Sequence, residues 1–183
     1  ISGGEGFIWV CLPYLNNAGT ANVTRWWGNA PEYDAGPTVA YCKKAVPWIC
    51  RKYGGDPKRV VLCGFSRGAI ACNYLGLYDD EIAKLWRAFI PYSHYDGVRR
   101  WPYPGSNRES AQRRLQRLAD RPQFICHEGT GISGTKKFLD STGIEGKFTF
   151  QATGFQNHND GWLLRPSPAR DILRTWLGKV LLN

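Results

Sequence analysis

The stretch that most constrains this chain is a short apolar run followed at once by a glycine-flanked serine. Residues 60–63 (Val-Val-Leu-Cys) are rich in β-branched side chains, which is typical of a strand buried on both faces. Residues 64–68 (Gly-Phe-Ser-Arg-Gly) match the pattern G-x-S-x-G, and residues 69–75 favour a helix of small side chains. The sequence therefore predicts a strand, a sharp turn and a helix, with the Ser66 hydroxyl exposed at the tip of the turn.

Both glycines have a steric role in this interpretation. Gly64 and Gly68 lack a Cβ at the place where the strand and helix backbones crowd the turn. The first turn of the following helix would point free N–H groups and a partial positive charge toward Ser66. The alternative is a chance match of the pentapeptide within a loop, which the flanking strand and helix patterns disfavour.

Residues 56–69 resemble the elbow region of the α/β-hydrolase superfamily, in its esterase, polyester-depolymerase and dienelactone-hydrolase-like branches. The likeness is specific over this stretch and weaker, but in the right order, over most of the chain. It implies one domain over residues 1–183, with a compact three-layer α/β fold. In that fold a mostly parallel sheet carries helices on both faces and has little or no cap.

Five strands and six helices are expected in the order that such a fold requires. Apolar runs predict the strands, and three- and four-residue apolar spacing with caps and prolines predicts the helices. The strands are 6–12, 60–63, 88–92, 124–127 and 147–153, and the helices are 37–53, 69–75, 79–86, 109–119, one from 135 and one from Pro168.

Composition excludes some classes of protein. The 183 residues suffice for one domain with a substantial core, and no apolar run approaches the ~20 residues of a membrane span. The net charge of +9 favours either an anionic partner or simple solubility, and we prefer solubility. The chain begins at Ile1 and contains no methionine, so we expect a processed form that is secreted or periplasmic. We also expect the protein to be a monomer.

The six cysteines show no C-x-x-C spacing, which disfavours a zinc site. Four of them lie in apolar runs or on the elbow helix and are expected to be buried free thiols: Cys11, Cys63, Cys72 and Cys126. Cys42 and Cys50 share a predicted helix but lie too far apart along it to bridge each other. Whether one disulfide forms with other partners stays open.

A serine hydroxyl needs a base to remove its proton and a carboxylate to orient that base. The family resemblance places the histidine after the last strand, which is His158, whereas His127 lies within a strand. It places the acid after the strand before last, where the carboxylate is Glu128 rather than the usual Asp. Asp96, after the strand that follows the elbow, is the alternative acid, and a capping or surface role for Glu128 stays open.

The resemblance also implies two backbone N–H groups that form an oxyanion hole. Arg67, directly after the serine, supplies one of them. The loop after the first strand supplies the other, with Tyr14 as the candidate and Leu15 next, because Pro13 has no N–H.

Aromatic residues near the expected pocket suggest a substrate-binding surface. Trp26 and Trp27 form either a wall for an apolar or sugar-like group or an anchor to the core, and His94 is expected at the pocket rim. Trp101, with Tyr103, adds to this surface and makes a polyester or acylated polysaccharide conceivable as substrate.

We therefore expect a serine hydrolase that cleaves carboxylic esters through an acyl-enzyme on Ser66, without metal or organic cofactor. Peptidase and thioesterase chemistry use the same groups. A different class is a non-catalytic module that grips an anionic partner through a run of basic residues, which are Arg99, Arg100, Arg108, Arg113, Arg114 and Arg117. Nucleotide binding is not expected, because in residues 129–136 the lysine of a phosphate loop is misplaced. Nucleic acid is not expected as a partner either, since we attribute the positive charge to solubility.

Overall fold

A computed structural model describes residues 6–182. The strands are β1 (Tyr14–Leu15), β2 (Asn22–Val23), β3 (Val61–Phe65), β4 (Ala88–Tyr92), β5 (Gln123–His127) and β6 (Phe148–Ala152). The helices are α1 (Gly36–Tyr53), α2 (Arg67–Tyr74), α3 (Asp80–Ala83), α4 (Arg108–Leu115), α5 (Ile132–Thr142), α6 (Gly161–Leu164) and α7 (Pro168–Leu182), with a 3₁₀ turn at Gln116–Leu118. The four later strands and the long helices match the predicted elements to within a few residues.

The central sheet has four strands in the order β3-β4-β5-β6, and all three pairings are parallel. A separate two-stranded antiparallel sheet joins β1 to β2. The chain is thus an α/β protein, because helices connect the consecutive parallel strands of its main sheet.

Both faces of the sheet are covered, since successive side chains of a strand point to opposite faces. Phe89 and Ile125 join a cluster formed with α1, α2, α4 and α5, whereas their neighbours Ile90 and Phe124 join a second cluster. That second cluster includes residues of α6 and α7. The expectation of helices on both faces of a parallel sheet is therefore confirmed, and the arrangement is compatible with three layers.

The prediction of a strand at residues 6–12 is wrong. These residues form no strand, and Trp9 is 62% exposed in the middle of them. The apolar run predicted burial, but a strand also needs a partner edge, and a run of side chains does not reveal whether that pairing forms.

The cysteine expectations are half right. Cys72 and Cys126 are buried, but Cys11 and Cys63 are exposed. Cys63 lies on β3, the last strand of the sheet on that side among the described residues. All six cysteines are free thiols.

No helix within residues 6–182 has the length and apolar character needed to cross a lipid bilayer.

A buried ion pair ties the loop after β4 to α4. Asp96 is almost fully buried and accepts two hydrogen bonds from the Arg114 guanidinium, at 2.8 and 3.0 Å. Arg114 also donates to the carbonyl of Gly105 at 2.7 Å and lies over the ring of Tyr74. The pair therefore has a structural role in the core.

We expect Asp96→Asn to lower the free energy of unfolding by about 3–5 kcal/mol, because it leaves the Arg114 charge buried without its partner. Asp120→Asn is the matched control, since its pair with Lys147 is exposed and long, and it should cost less than about 1 kcal/mol. Urea unfolding of both variants measures the difference. A loss at Asp96 no larger than at Asp120 would contradict the structural role.

Candidate active site

Polar side chains follow each strand of the sheet at the edge where the strands end. Ser66 follows β3, Ser93 and His94 follow β4, Glu128 follows β5, and His158 lies in the loop after β6. Because the strands are parallel, their carboxyl ends meet at the same edge, which is where ligands bind in open α/β sheets. Side chains that are up to 92 positions apart in sequence therefore come together.

Ser66 occupies a strained turn. Its backbone has φ 54° and ψ −121°, a conformation that non-glycine residues rarely adopt, and it precedes the first residue of α2. Its N–H donates to the carbonyl of Tyr92 at 3.0 Å, which ties the turn to the end of β4. The hydroxyl is thereby held at the tip of the turn, as G-x-S-x-G predicts.

The two glycines of the motif differ in their importance. A Cβ at Gly64 would lie 2.1 Å from the carbonyl oxygen of Gly68, so only glycine fits there. A Cβ at Gly68 would meet only the Tyr14 hydroxyl, at an ordinary 3.5 Å. The steric role predicted for both glycines thus holds for Gly64 alone.

Ser66, His158 and Glu128 form a continuous hydrogen-bonded chain. His158 Nε2 lies 3.0 Å from Ser66 Oγ, and His158 Nδ1 lies 2.6 Å from Glu128 Oε1. The His158 ring also packs against Phe65 at 4.7 Å between centroids. Asp96, the alternative acid, is instead held by Arg114, so the structure brings Glu128 and not Asp96 to the histidine.

Two hydrogen bonds to Asn159 hold the loop that carries His158. The Tyr92 hydroxyl donates to the carbonyl of Asn159 at 2.7 Å, and the N–H of Gly161 donates to Asn159 Oδ1 at 2.9 Å. Burial and the nearby Glu128 charge raise the pKa of Tyr92 to about 12, so its hydroxyl stays protonated and remains a donor at neutral pH.

Glu128 is suited to remain ionised. Its side chain is 13% exposed, and burial raises its pKa. Hydrogen bonds from His158, from its own backbone and from Ser93, together with the charge of His127, outweigh burial, and the pKa falls below its ordinary value. A carboxylate that stays charged can orient an imidazole and stabilise its protonated form.

Ser93 is the site residue that the sequence did not indicate. Its Oγ lies 2.9 Å from Glu128 Oε1, 3.1 Å from His158 Nδ1 and 3.1 Å from His94 Nδ1. The available signal was its position directly after β4, at the same edge as Ser66. In the sequence, a single serine is a weak indication of a site residue, because its contacts are known only from the fold.

His94 lies at the site, as expected for a rim residue. Its ring centroid is 5.6 Å from that of His158 and 5.9 Å from that of Trp101. Trp101 is partly exposed, and the Arg99 guanidinium lies 5.0 Å from its ring centroid. These groups form one flank of the site. His127 has its Nδ1 hydrogen-bonded to the carbonyl oxygen of Glu128, and the same nitrogen lies 3.6 Å from Glu128 Oε2.

The tryptophan pair does not form a pocket wall. Trp26 is fully buried and its Nε1 donates to the carbonyl of Arg67 at 3.0 Å, while Trp27 is 9% exposed and stacks on the buried Tyr103 at 4.7 Å. The prediction of Trp26 and Trp27 as substrate-binding residues is therefore corrected in favour of the anchoring alternative. Buried and exposed aromatic clusters have the same composition, so sequence could not separate them.

Of the backbone N–H groups expected to form an oxyanion hole, that of Arg67 is suitably placed, whereas those of Tyr14 and Leu15 are not. The Arg67 N–H belongs to the first turn of α2, where N–H groups have no acceptor within the helix. The Leu15 N–H is taken by Thr38 Oγ1 at 2.9 Å. The N–H of Asn16 donates to the carbonyl of Ala21, so these two residues form a hydrogen-bonded pair. Hydrogen-bonded pairs alternate along an antiparallel ladder, and the next such pair is Tyr14 with Val23. The Tyr14 N–H is therefore directed toward Val23. The backbone N–H of Tyr14 is thus poorly placed as the second donor.

The basic run is largely engaged within the protein. Arg114 pairs with buried Asp96, and Arg117 pairs with Asp80 at 3.0 Å. Arg108 donates to Ser141 Oγ and Arg113 to Ser110 Oγ, each at 2.8 Å. Four of the six arginines proposed for an anionic partner therefore already have internal partners.

A scan of the chain against protein-family models gave no match, and a search of curated proteins gave none at the threshold applied.

We expect Gly64→Ala to abolish folding or to lower the free energy of unfolding by more than about 3 kcal/mol, because the added methyl clashes with the Gly68 carbonyl. Gly68→Ala should be neutral or stabilise by up to about 1 kcal/mol, since alanine is the better helix former. Thermal unfolding of the two variants measures this difference. Equal stability of the two would show that the turn is looser than the contact at Gly64 implies.

Proposed function

We propose that this protein is a serine hydrolase that cleaves carboxylic esters, and that its site resembles that of the α/β-hydrolase superfamily. The observation that carries the proposal is the Ser66–His158–Glu128 chain, with contacts of 3.0 and 2.6 Å at the carboxyl edge of a parallel sheet. The nucleophile, acid and base follow in the chain order Ser, Glu, His that this superfamily uses.

The proposed reaction proceeds in two stages. His158 Nε2 accepts the Ser66 proton as Oγ attacks the ester carbonyl carbon, while Nδ1–H donates to Glu128 and fixes the tautomer. The protonated His158 then delivers that proton to the leaving alkoxide, and the acyl group stays on Ser66. Water, deprotonated by the same His158, then attacks the acyl carbonyl carbon. His158 returns this proton to Ser66 Oγ as the acyl–Oγ bond breaks, and the acid is released.

The charge that develops on the carbonyl oxygen needs donors that are already in place. The Arg67 N–H and the positive end of α2 meet this need, because both lie directly after Ser66 and point out of the helix start. This arrangement supports ester chemistry, and peptide or thioester cleavage would use the same groups.

The second candidate is the non-catalytic module that binds an anionic partner. The net charge of +9 favours it, and the internal engagement of four of the six arginines counts against it. A polymeric ester substrate is also weakened as a proposal, because three of its four supporting aromatic residues are buried, which are Trp26, Trp27 and Tyr103.

A fluorophosphonate probe should label wild-type protein at Ser66 and leave Ser66→Ala unlabelled, because phosphonylation requires the activated hydroxyl. His158→Ala should lower the rate of labelling and of p-nitrophenyl acetate hydrolysis by about 10³-fold or more. Glu128→Gln should lower the hydrolysis rate by about 10²–10⁴-fold, since the amide no longer holds His158 in the productive tautomer.

Ser133→Ala is a suitable control, because Ser133 is a serine outside the chain of contacts whose hydroxyl donates to Thr130 O. It should retain wild-type rates. An unlabelled wild-type protein with strongly salt-dependent retention on heparin would replace the enzyme proposal with the binding module.

A further inference from the structure

We propose that Ser93 and His94 are positioning residues that extend the Ser66–His158–Glu128 chain. Ser93 holds the Glu128 carboxylate, and His94 holds Ser93. This inference rests on the proposed function, because it concerns the same site.

The directions of the hydrogen bonds follow from the chemistry of the groups. An ionised Glu128 can only accept, so Ser93 Oγ–H donates to Oε1 at 2.9 Å, beside the 2.6 Å bond from His158 Nδ1. With its proton used, Ser93 Oγ can only accept from the imidazoles. His94 Nδ1, at 3.1 Å, is then the protonated nitrogen of that ring, and its Nε2 is left as an acceptor.

Glu128 depends on these donors. Its Oε2 is buried and has no hydrogen-bond partner among the described residues. The side-chain hydrogen bonds to its charge are therefore concentrated on Oε1, where Ser93 and His158 both donate. Loss of the Ser93 hydroxyl would leave a buried carboxylate with one fewer donor and with more freedom to turn away from His158.

The backbone of Ser93 provides a second, independent observation. It has φ 82°, which glycine adopts readily and serine rarely. Its N–H donates to the carbonyl of Cys126 at 2.9 Å, so the residue bridges the ends of β4 and β5, and it is 2% exposed. A strained, buried serine where glycine would fit more easily indicates that the hydroxyl has a role.

Several titratable groups face this network, and each affects its pH dependence. His158, His127 and the Tyr92 hydroxyl lie near Glu128. His94 has its pKa lowered by burial, then by His158, His127 and Arg99, with Glu128 acting in the opposite sense. His94 is therefore neutral at pH 7, as its role as donor through Nδ1 and acceptor through Nε2 requires.

Ser93→Gly separates the hydroxyl from the backbone, because it removes Oγ and at the same time relieves the positive φ. We expect unchanged or higher thermal stability, with kcat for p-nitrophenyl acetate lowered by about 10-fold and KM little changed. The acid limb of the pH–kcat profile should move to higher pH, because Glu128 loses a donor that lowers its pKa and is therefore neutralised at a higher pH.

For His94, the matched pair is His94→Asn and His94→Ala. The asparagine amide can replace the Nδ1–H donor to Ser93, so His94→Asn should retain several-fold more activity than His94→Ala. Equal loss in the two would show that the donor to Ser93 has no effect.

Wild-type kcat and an unmoved pH profile in Ser93→Gly would overturn the proposal. If wild-type protein neither hydrolyses esters nor reacts with the probe, the proposed function fails, and the positioning role is then decided without catalysis. In that case the titration of the Glu128 carboxyl group, followed by ¹³C NMR, is compared in wild type and Ser93→Gly. A higher Glu128 pKa in the variant supports the role, and identical titrations refute it.

Discussion

The close approach of Gly64 to the Gly68 carbonyl is the constraint on which the site depends. A Cβ there would lie 2.1 Å from that oxygen, so the chain can reverse from β3 into α2 within a few residues only if residue 64 is glycine. The reversal leaves Ser66 at φ 54° and places it before the first N–H groups of α2. One missing methyl group therefore allows both the position of the Ser66 hydroxyl at the tip of the turn and its nearness to the helix start.

The parallel sheet supplies the rest of the geometry. Each strand delivers at least one polar residue to the same edge, and the order β3-β4-β5-β6 sets their positions across it. Ser93, after β4, lies between the ends of β3 and β5 and so reaches both Glu128 and His158. Glu128 is longer than aspartate by one methylene, and it reaches His158 Nδ1 from the first position after β5.

Sequence reasoning predicted what depends on local chemistry. The strand and helix around Ser66, the strand Ala88–Tyr92 and the start of α7 at Pro168 were all expected, because apolar period, caps and proline act over a few residues. The proximity of His158 and Glu128 to Ser66 was expected from chain order and resemblance. The contacts of Ser93 were not, because they depend on three loops that meet only in the folded sheet.

The errors share one physical cause, which is that a side-chain pattern does not reveal its partner. Residues 6–12 are as apolar as β5, yet they do not pair, and Trp9 stays exposed. Trp26 and Trp27 are as aromatic as any pocket wall, yet they pack on Tyr74 and Tyr103 inside the core. In both cases the deciding quantity is what lies opposite the side chain, which only the folded chain defines.

The same consideration explains why charge is a weaker guide to function here than geometry. A run of arginines predicts an anionic partner only if the guanidinium groups are unpaired, and Arg114 and Arg117 already pair with Asp96 and Asp80. The contacts among Ser66, His158 and Glu128 join three separate loops, and no other structural role for these contacts is evident. A chain of hydrogen bonds that runs from the hydroxyl of a serine with a strained backbone to a buried carboxylate has few structural explanations, whereas an excess of positive charge has many.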